Sequence, residues 1–333
     1  MIETDKAESG MNRALTCWVV TDGRAGIEAQ ALGLAEAIAR RRPAAIITKR
    51  IDVTAPWRKL PRALWGDPFA RLAAGSNLTA PPSSQLWPDM WIGCGRLSVP
   101  FSIAAKKKSP STFVVQLQNP RAPSRLFDLV IAPEHDGLSG ENVLTITGST
   151  LRGERISRPA PVDSGARRVA VLIGGPNRAF RMGRAEAEVI GAALRKLASS
   201  GAHLEVTTSR RTPPDVAATL EEMLAGVADI FWRADIGDNG ANPFPQMLGR
   251  ADAIFVTEDS VNMAVEAAAT GAPVYILRLS RKPFASAAKF DAFHRSLAMR
   301  GVSRYFDGGL ERWTYAPLDE TGRAANEVLR RLA

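Results

Sequence analysis

The sequence predicts an α/β protein that is built from parallel sheets and organised as two domains. Short segments rich in β-branched and aromatic residues recur along the chain, most are followed by glycine or small polar residues, and helix-forming segments lie between them. Parallel strands need helical crossovers of this kind, and the helices cover both faces of the sheet. At 333 residues the chain also exceeds one typical domain, and two domains of roughly 150 residues fit its length.

The first half of the chain predicts strands that end at polar or glycine-containing turns. They cover residues 15–20, 45–53, 90–95, 112–117, 127–132 and 143–147. A turn at 21–26 follows the first strand, and apolar residues on one face predict a helix over 27–41. Strand, glycine-containing loop and helix in this order are typical of a Rossmann-like domain. The turn lacks the GxGxxG spacing and the acidic residue of a dinucleotide site, which argues against NAD.

A stretch of mixed charge, proline and glycine at 151–166 predicts a linker, after which a second set of strands begins. These strands cover residues 168–173, 203–208, 229–232, 254–256 and 274–277. The predicted organisation is a disordered tail at 1–12, an N-terminal Rossmann-like domain at 13–155, a C-terminal Rossmann-like domain at 165–315, and a helix at 316–333 that packs back toward the first domain.

The segment 253–277 carries the clearest ligand-binding pattern, because it predicts a strand, a polar loop, a helix and a second strand. Asp259 or Ser260 is a good N-cap for the helix. The loop then lies at the carboxyl edge of a parallel sheet, where open α/β proteins bind ligands, and it ends on a helix N-terminus that attracts anions. Asn262 and Glu266 share a helix face, so Glu266 is placed to accept hydrogen bonds from a ribose diol. A solvated Glu266 on an ordinary capped helix is an equally good interpretation.

Composition limits the classes of partner. The net charge of +9 favours anionic partners such as nucleotide phosphates or an acidic membrane surface. The two cysteines, Cys17 and Cys94, predict neither a disulfide framework nor an oxidising compartment, and three scattered histidines predict no metal site. There is no apolar run long enough to span a membrane. The aromatic residues do not alternate with basic residues as base-stacking platforms do, so no nucleic-acid partner is expected.

Residues 54–88 are rich in proline, tryptophan and arginine and predict an irregular segment with short helices. Such a segment can contact a membrane interface or an acceptor lipid. The alternative is that its tryptophans pack beneath a long loop, and that interpretation is favoured about two to one on general grounds.

Two Rossmann-like halves joined by a linker resemble the architecture of GT-B glycosyltransferases, in which two domains face each other across a cleft. Six short motifs more closely resemble the ELM1-like family, which is named for a plant mitochondrial fission factor and includes many bacterial glycosyltransferase-like proteins. The motifs lie at residues 21–26, 118–120, 133–136, 174–177, 208–213 and 256–263. Each motif is weak alone, but the set is specific and spans most of the chain.

The resemblance implies a metal-independent glycosyltransferase that moves a sugar from a nucleotide-diphosphate donor to a cell-envelope saccharide or a lipid-linked acceptor. No cofactor is expected beyond the donor nucleotide sugar, which is a substrate. We expect a cytoplasmic protein that also associates peripherally with the inner face of an anionic membrane. The competing hypothesis is a non-catalytic membrane-surface adaptor of the ELM1 type that keeps the GT-B fold.

Within the first hypothesis, a general base in the N-terminal half activates the acceptor hydroxyl. The candidates are Asp22, which lies on the first loop of that half, and His135 with Asp136 as its orienting carboxylate; the latter two also fit a structural hydrogen-bonding pair. Arginines, backbone amides and a helix N-terminus stabilise the leaving diphosphate. The candidate substrate-binding residues are Gly23, Gly26, Gln118, Asn119, Gly174, Gly175, Asn177, Arg178, Ser209, Arg210, Ser260, Asn262 and Glu266. Arg181 is an additional candidate for the phosphate.

Overall fold

The computed structural model describes residues 13–81, 86–153, 167–236 and 242–332. The predicted tail at 1–12 and residues 154–166 of the predicted linker lie outside the described residues. The described chain divides into two compact units. Unit 1 is formed by the chain up to Gly153 together with the segment from Glu320 onward, and unit 2 is formed by the chain between them.

The strands lie close to their predicted positions and are all parallel within their sheets. They are Leu15–Thr21 (β1), Ala44–Arg50 (β2), Met90–Cys94 (β3), Phe113–Leu117 (β4), Leu129–Pro133 (β5), Val143–Ile146 (β6), Arg168–Ile173 (β7), His203–Thr208 (β8), Ala228–Trp232 (β9), Ala253–Thr257 (β10), Val274–Leu277 (β11) and Ser303–Tyr305 (β12). The sequence did not predict β12, because three residues are too few to show a periodic pattern.

The α-helices lie between successive strands, except for the last one, which follows β12. They are Ala25–Ala39 (α1), Val99–Lys108 (α2), Arg184–Ser199 (α3), Pro214–Leu224 (α4), Phe244–Arg250 (α5), Val261–Ala268 (α6), Ala288–Met299 (α7) and Glu320–Leu332 (α8). The first helix begins two residues earlier than predicted, so Gly26 lies in the first turn of α1 and not in the preceding loop. None of the helices in the described ranges is long and apolar enough to cross a membrane.

Unit 1 has the strand order β2-β1-β3-β4-β5-β6. The chain passes from β1 to β2 on one side and then crosses to β3 on the other, so the switch point lies between β1 and β3. Helices α1 and α8 pack on one face of the sheet, where Leu34 and Val328 share a core with Val19. Helix α2 packs on the opposite face, where Phe101 contacts the ring of Trp65 edge-on with the ring centroids 6.3 Å apart.

The environment of Trp65 shows which of the two interpretations of the proline- and tryptophan-rich segment holds for this residue. This side chain is only 1% exposed and its indole Nε1–H donates to the carbonyl of Leu60. It is therefore a core residue beneath α2. Trp57 is half-buried under the guanidinium of Arg71, which lies 3.8 Å from the ring centroid. These tryptophans pack within unit 1.

Unit 2 has the strand order β12-β11-β10-β7-β8-β9. The first strand of this unit, β7, therefore pairs with β10, although more than seventy residues separate them along the chain. This pair is the switch point of unit 2, and its carboxyl edge is where ligands bind in open α/β sheets. Helices α3 and α4 cover one face, with Leu194 and Leu220 in the same core as Val171.

A close helix–backbone approach in unit 1 generates a stability prediction. A Cβ atom at Gly33 of α1 would lie 2.1 Å from the carbonyl oxygen of Leu151. Gly33→Ala is therefore expected to lower the free energy of unfolding by about 1–3 kcal/mol, even though alanine is the better helix former. Chemical denaturation measures the change.

Gly191 in α3 provides the matched control. A Cβ atom there would meet the sulfur of Met223, the far part of a flexible side chain, at 2.7 Å. Gly191→Ala should change stability by less than about 1 kcal/mol, because the methionine can rotate away. Equal effects of the two substitutions would contradict the close approach of Leu151 to α1.

Candidate functional site

The loops after β7 and β10 meet at the switch point of unit 2 and are joined by hydrogen bonds. The amide of Gly174 donates to Thr257 Oγ1 at 2.7 Å, and the amide of Gly175 donates to Asp259 Oδ2 at 3.0 Å. Asn177 Nδ2 donates to the carbonyl of Asp259 at 3.4 Å. The two motifs that the sequence predicts for one site are therefore brought together at one corner of the sheet.

Asp259 is the centre of this corner. Its side chain is fully buried and accepts from the Thr257 hydroxyl at 2.7 Å as well as from the amide of Gly175. Arg211 reaches it from the loop after β8, with Nη2 at 2.8 Å from Oδ2. A buried carboxylate is tolerated only when it is paired and hydrogen-bonded, and these donors meet that need.

The two glycines are required by this packing. A Cβ atom at Gly174 would lie 2.2 Å from Asp259 Oδ1, and one at Gly175 would lie 2.1 Å from the carbonyl oxygen of Arg211. The amides of both glycines have acceptors within the protein. The loop that was predicted to cradle phosphate is thus held in shape by the Asp259 carboxylate.

Ser260 is the N-cap of α6, and its hydroxyl accepts from the amide of Met263 at 3.5 Å. Asn177 closes its own loop, because its Oδ1 accepts from the amides of Ala179 and Phe180. Asn262 is half-buried in the first turn of α6. Ser260 and Asn262 therefore lie at the N-terminal end of α6, where helix amides are oriented toward an incoming anion.

Glu266 lies on the same helix and has a different environment from Asp259. It is half-buried, and no hydrogen-bond donor among the described residues contacts its carboxylate. Burial without a compensating partner raises the pKa of Glu266 to about 7. A half-buried acceptor near a helix N-terminus and poised near neutral pH can bind ligand hydroxyls, and it recovers part of its lost solvation when it does so.

The predicted phosphate-binding arginines are exposed. Within the described ranges, no carboxylate pairs with Arg178 or Arg210. Arg210 lies after β8, next to Ser209, whose hydroxyl is engaged with Thr212 Oγ1 at 3.1 Å. It is the neighbouring Arg211 that enters the corner. The guanidinium groups of Arg178 and Arg210 are therefore available to a ligand, whereas that of Arg211 is paired with the Asp259 carboxylate.

A second polar cluster, which the sequence did not predict, lies at the ends of β10, β11 and β12. Glu258 is 2% exposed and accepts from the amide of Leu279 and from the hydroxyl of Tyr305 at 3.1 Å. Burial and the Glu258 carboxylate raise the pKa of Tyr305 to about 12. The guanidinium of Arg278 lies over the Tyr305 ring, 3.7 Å from its centroid. This cluster extends the polar edge of unit 2 by two strands.

In unit 1, Asp22 and Gly23 follow β1 at the switch point. The Asp22 carboxylate is paired with Arg24, whose Nη2 lies 2.7 Å from Oδ2, and this pairing raises the pKa of Arg24. Gly23 adopts a positive φ of 74°, and its amide donates to the hydroxyl of Thr21. The candidate base is thus held in an ion pair, and a proton acceptor role would require Arg24 to move.

The other unit 1 candidates lie farther along the same edge. His135 and Asp136 follow β5, and three strand spacings separate β5 from β1, or roughly 14 Å. Asp22 and the His135–Asp136 pair therefore belong to two separate places and are alternatives as catalytic groups.

Gln118 follows β4 with a left-handed φ of 67°, an outlier of the kind that clusters at functional sites. Its Nε2 donates to Gln30 Oε1 at 3.1 Å, and Asn119 turns the chain by accepting from the amide of Arg121.

The chain is similar to known proteins over most of its length. A model of the mitochondrial fission ELM1 family matches residues 25–332.

The chain belongs to the mitochondrial fission ELM1 family.

Two known proteins are similar to this chain in sequence. The mitochondrial fission protein ELM1 of Arabidopsis thaliana is 29% identical over 286 residues, which cover 73% of this chain and 63% of the plant protein. The chain thus spans less than two thirds of that relative's length. An uncharacterized protein of Rickettsia prowazekii is 26% identical over 359 residues, which cover 94% of this chain and 98% of the relative.

A solved structure is similar to this ELM1-family chain over nearly its whole length. It is a Listeria monocytogenes protein assigned as a UDP-N-acetylglucosamine 2-epimerase, with a TM-score of 0.50, 12% identity, and coverage of 96% of this chain and 88% of that chain. At this identity the likeness concerns the fold alone. The predicted fold class, α/β with two Rossmann-like domains of the GT-B type, is confirmed.

Sequence reasoning missed Arg211 and the role of Asp259 in this ELM1-family fold. The sequence predicts Asp259 only as an alternative N-cap. It predicts Arg210 as the phosphate ligand, and no local pattern distinguishes that residue from the adjacent Arg211. The run Thr257-Glu258-Asp259-Ser260 follows an entirely apolar strand segment, and all four of its residues are buried.

The buried carboxylate generates a second stability prediction. Asp259→Ala leaves the amide of Gly175 and the guanidinium of Arg211 without their acceptor. Because Arg211 is half-exposed and water can reach it, we expect a loss of about 2–4 kcal/mol in the free energy of unfolding of unit 2. Urea denaturation monitored by tryptophan fluorescence measures it.

Asp229→Ala is the matched control, because it removes a carboxylate from the same unit. Asp229 forms an exposed pair with His203, 3.2 Å from Nδ1, and such pairs contribute no more than about 1 kcal/mol. If the two aspartate substitutions destabilise equally, Asp259 does not organise the corner.

Proposed function

We propose that this chain is a metal-independent glycosyltransferase in which unit 2 binds the nucleotide-diphosphate sugar. The observation that carries the proposal is Glu266, a half-buried carboxylate without a partner among the described residues, on the helix that begins at the unit 2 switch point. Structural requirements do not explain a carboxylate that is desolvated and unsatisfied. A ligand that donates hydrogen bonds to it does explain it.

The donor contacts follow from the charges around this corner. The ribose hydroxyls donate to Glu266, and the diphosphate lies toward the N-terminal end of α6 near Ser260. Arg178 and Arg210 supply mobile positive charge for the diphosphate as it leaves. The amides of Gly174 and Gly175 donate to Thr257 and Asp259. They therefore fix the conformation of the loop beside this site.

The acceptor is proposed to be a cell-envelope saccharide or a lipid-linked saccharide bound by unit 1. Its hydroxyl requires a general base, and Asp22 is the proposed base because it lies at the switch point of that unit. Arg24 then has a second role: when a negatively charged acceptor or donor draws it away, the Asp22 carboxylate becomes available. His135, with Asp136, is the alternative base at a different place on the edge.

Nucleotide binding tests the donor site directly. A panel of UDP, GDP, CMP and the corresponding nucleotide sugars is screened by thermal shift, and the best ligand is titrated by calorimetry. Glu266→Ala is expected to weaken its binding by about tenfold to a hundredfold, because buried hydrogen bonds to a charged group contribute about 1.5–3 kcal/mol. Glu188→Ala is the control, since Glu188 is an exposed helix glutamate paired with Arg184.

Binding of none of these ligands at millimolar concentration contradicts the donor site. Retained affinity in Glu266→Ala, with the same ligand still bound, contradicts only the role of Glu266.

The raised pKa of Glu266 predicts a pH dependence of binding. Ribose hydroxyls donate to the carboxylate form, so affinity should be full above the pKa and fall as the pH drops below about 7. Between pH 8 and pH 6 the ionised fraction falls about tenfold, and the dissociation constant should rise by the same factor. A nucleotide sugar is the proper probe, because its diphosphate has no ionisation in this range.

Glu266→Gln separates this titration from other effects of pH. Affinity of the glutamine variant should be weaker than that of the unmodified chain at pH 8 and nearly constant from pH 6 to pH 8. A variant that keeps the full pH dependence would assign the titration to another group.

A non-catalytic adaptor at a membrane surface is the second candidate function. The name of the plant relative, a mitochondrial fission protein, favours it, and so does the Asp22–Arg24 ion pair, which occupies the proposed base. Cosedimentation with vesicles containing phosphatidylglycerol, in the absence of any nucleotide binding, would support the adaptor. Nucleotide binding that depends on Glu266 would favour the transferase.

A further inference from the structure

Unit 1 contains a cavity that none of the candidate residues lines. Its volume is about 650 Å³, within the range of small-molecule sites. It lies along α2, between the segment 62–68 and the loop 121–123, on the sheet face opposite to α1. The walls are mainly apolar, with Trp65, Val99 and Ile103 among them.

Positive charge surrounds this apolar cavity. Four basic side chains and one carboxylate line it, which leaves a net charge of +3. The carboxylate, Asp67, is already paired with Lys108 at 3.0 Å. The other basic lining residues, Arg62, Lys107 and Arg121, form no ion pair with a carboxylate in the described part of the chain.

Two of the lining arginines, Arg62 and Arg121, lie close to a third, Arg96, which does not line the cavity. Arg62 is half-buried and donates to the carbonyl of Arg96 at 3.1 Å. Burial and the positive charges of Arg96 and Arg121 lower the pKa of Arg62. Clustered arginines without a counter-charge repel one another, and a bound dianion would relieve that repulsion.

The cluster also has a defined position in the fold. Arg96 follows β3 and Arg121 follows β4, so both lie at the carboxyl edge of the unit 1 sheet. Arg121 has a left-handed φ of 50°, which a non-glycine residue adopts only when its surroundings impose it. Along α2 the apolar lining runs away from this edge from Val99 to Ala104, over about 8 Å, and Lys107 and Lys108 line the cavity beyond it.

We propose that this cavity binds a single anionic amphiphile, namely a phosphate monoester carried on a hydrocarbon chain. The phosphate lies against Arg62 and Arg121, and the chain lies along Val99 and Ile103 of α2. Four features support it: the cavity walls are mainly apolar, Arg62 and Arg121 pair with no carboxylate in the described part of the chain, Arg121 has a left-handed backbone, and Arg121 lies at the carboxyl edge of the sheet. A free nucleotide or free phosphate would leave the apolar walls unused.

The role of this ligand as a lipid-linked acceptor rests on the proposed transferase function, but its binding does not. The arginine end lies on the same sheet edge as the switch point of unit 1. A head group held there would present its phosphate-linked end at the edge while its chain stays buried.

Calorimetry with octyl phosphate below its micelle-forming concentration tests the site. Octyl phosphate should bind at least tenfold more tightly than butyl phosphate, since each buried methylene contributes about fourfold. Inorganic phosphate supplies the head group alone and octanol the chain alone, and both should bind far more weakly. Equal affinity of octyl phosphate with either of them would overturn the proposal.

Two variants localise the binding. Arg62→Gln with Arg121→Gln removes the charged end, and Ile103→Trp fills the apolar part; each should weaken octyl phosphate binding by at least about tenfold. Arg40→Gln, which removes an exposed cation near α1 on the opposite face, should leave the affinity unchanged. An equal loss in Arg40→Gln would indicate non-specific attraction to a basic surface and overturn the site.

Failure here is distinguishable from failure of the proposed function. The cavity variants should keep their unfolding midpoints and the nucleotide affinity of unit 2, and Glu266→Gln should keep octyl phosphate binding. Octyl phosphate binding without nucleotide binding overturns only the transferase. Nucleotide binding without octyl phosphate binding overturns only the amphiphile site.

Discussion

The fully buried carboxylate of Asp259 is the constraint on which the candidate donor site depends. It accepts hydrogen bonds from the loop after β7, from its own loop after β10 and from Arg211 after β8, and so it joins three segments at one corner. A buried charge that loses its donors is strongly destabilising, so these segments cannot separate without a large cost. The same interaction explains why glycine occupies positions 174 and 175, because any side chain there would overlap the carboxylate or the Arg211 backbone.

Two acidic residues of one βαβ segment thus have opposite roles because their environments differ. Asp259 is satisfied by the protein, and its hydrogen bonds are spent on structure. Glu266, less than two helical turns away, is desolvated and has no partner in the described chain, and its pKa rises to about 7. The rigid corner holds α6 in place, and α6 in turn holds Glu266 at the ligand edge. Asp259 therefore stabilises the site, and the neighbouring Glu266 is available to bind a ligand.

The arginines at the sheet edges also fall into two groups, those paired with a carboxylate and those without such a partner in the described chain. In unit 2, Arg211 is paired with Asp259, while Arg178 and Arg210 are exposed. In unit 1, Arg24 is paired with Asp22, while Arg62, Arg96 and Arg121 lie near one another and pair with no carboxylate in the described ranges. Each sheet edge therefore carries some arginines that pair with a carboxylate and others that have no such partner among the described residues. Since unpaired cations at a ligand-binding edge favour anions, both edges suit phosphate-bearing ligands of different shape.

The sequence by itself determined the parallel α/β class, the two units and the loops that lie at the sheet edges, because these follow from local periodicity and from short-range turn and capping chemistry. It did not determine β12, the inclusion of Gly26 in α1, or the choice of Arg211 over its neighbour. The same holds for the separation of Asp22 from His135 and for the cavity along α2. Only the tertiary structure decided these points, since they depend on which strands become neighbours. The pairing of β7 with β10 brings Gly175 within 3.0 Å of Asp259 across 84 positions of chain, and no local pattern encodes such a contact.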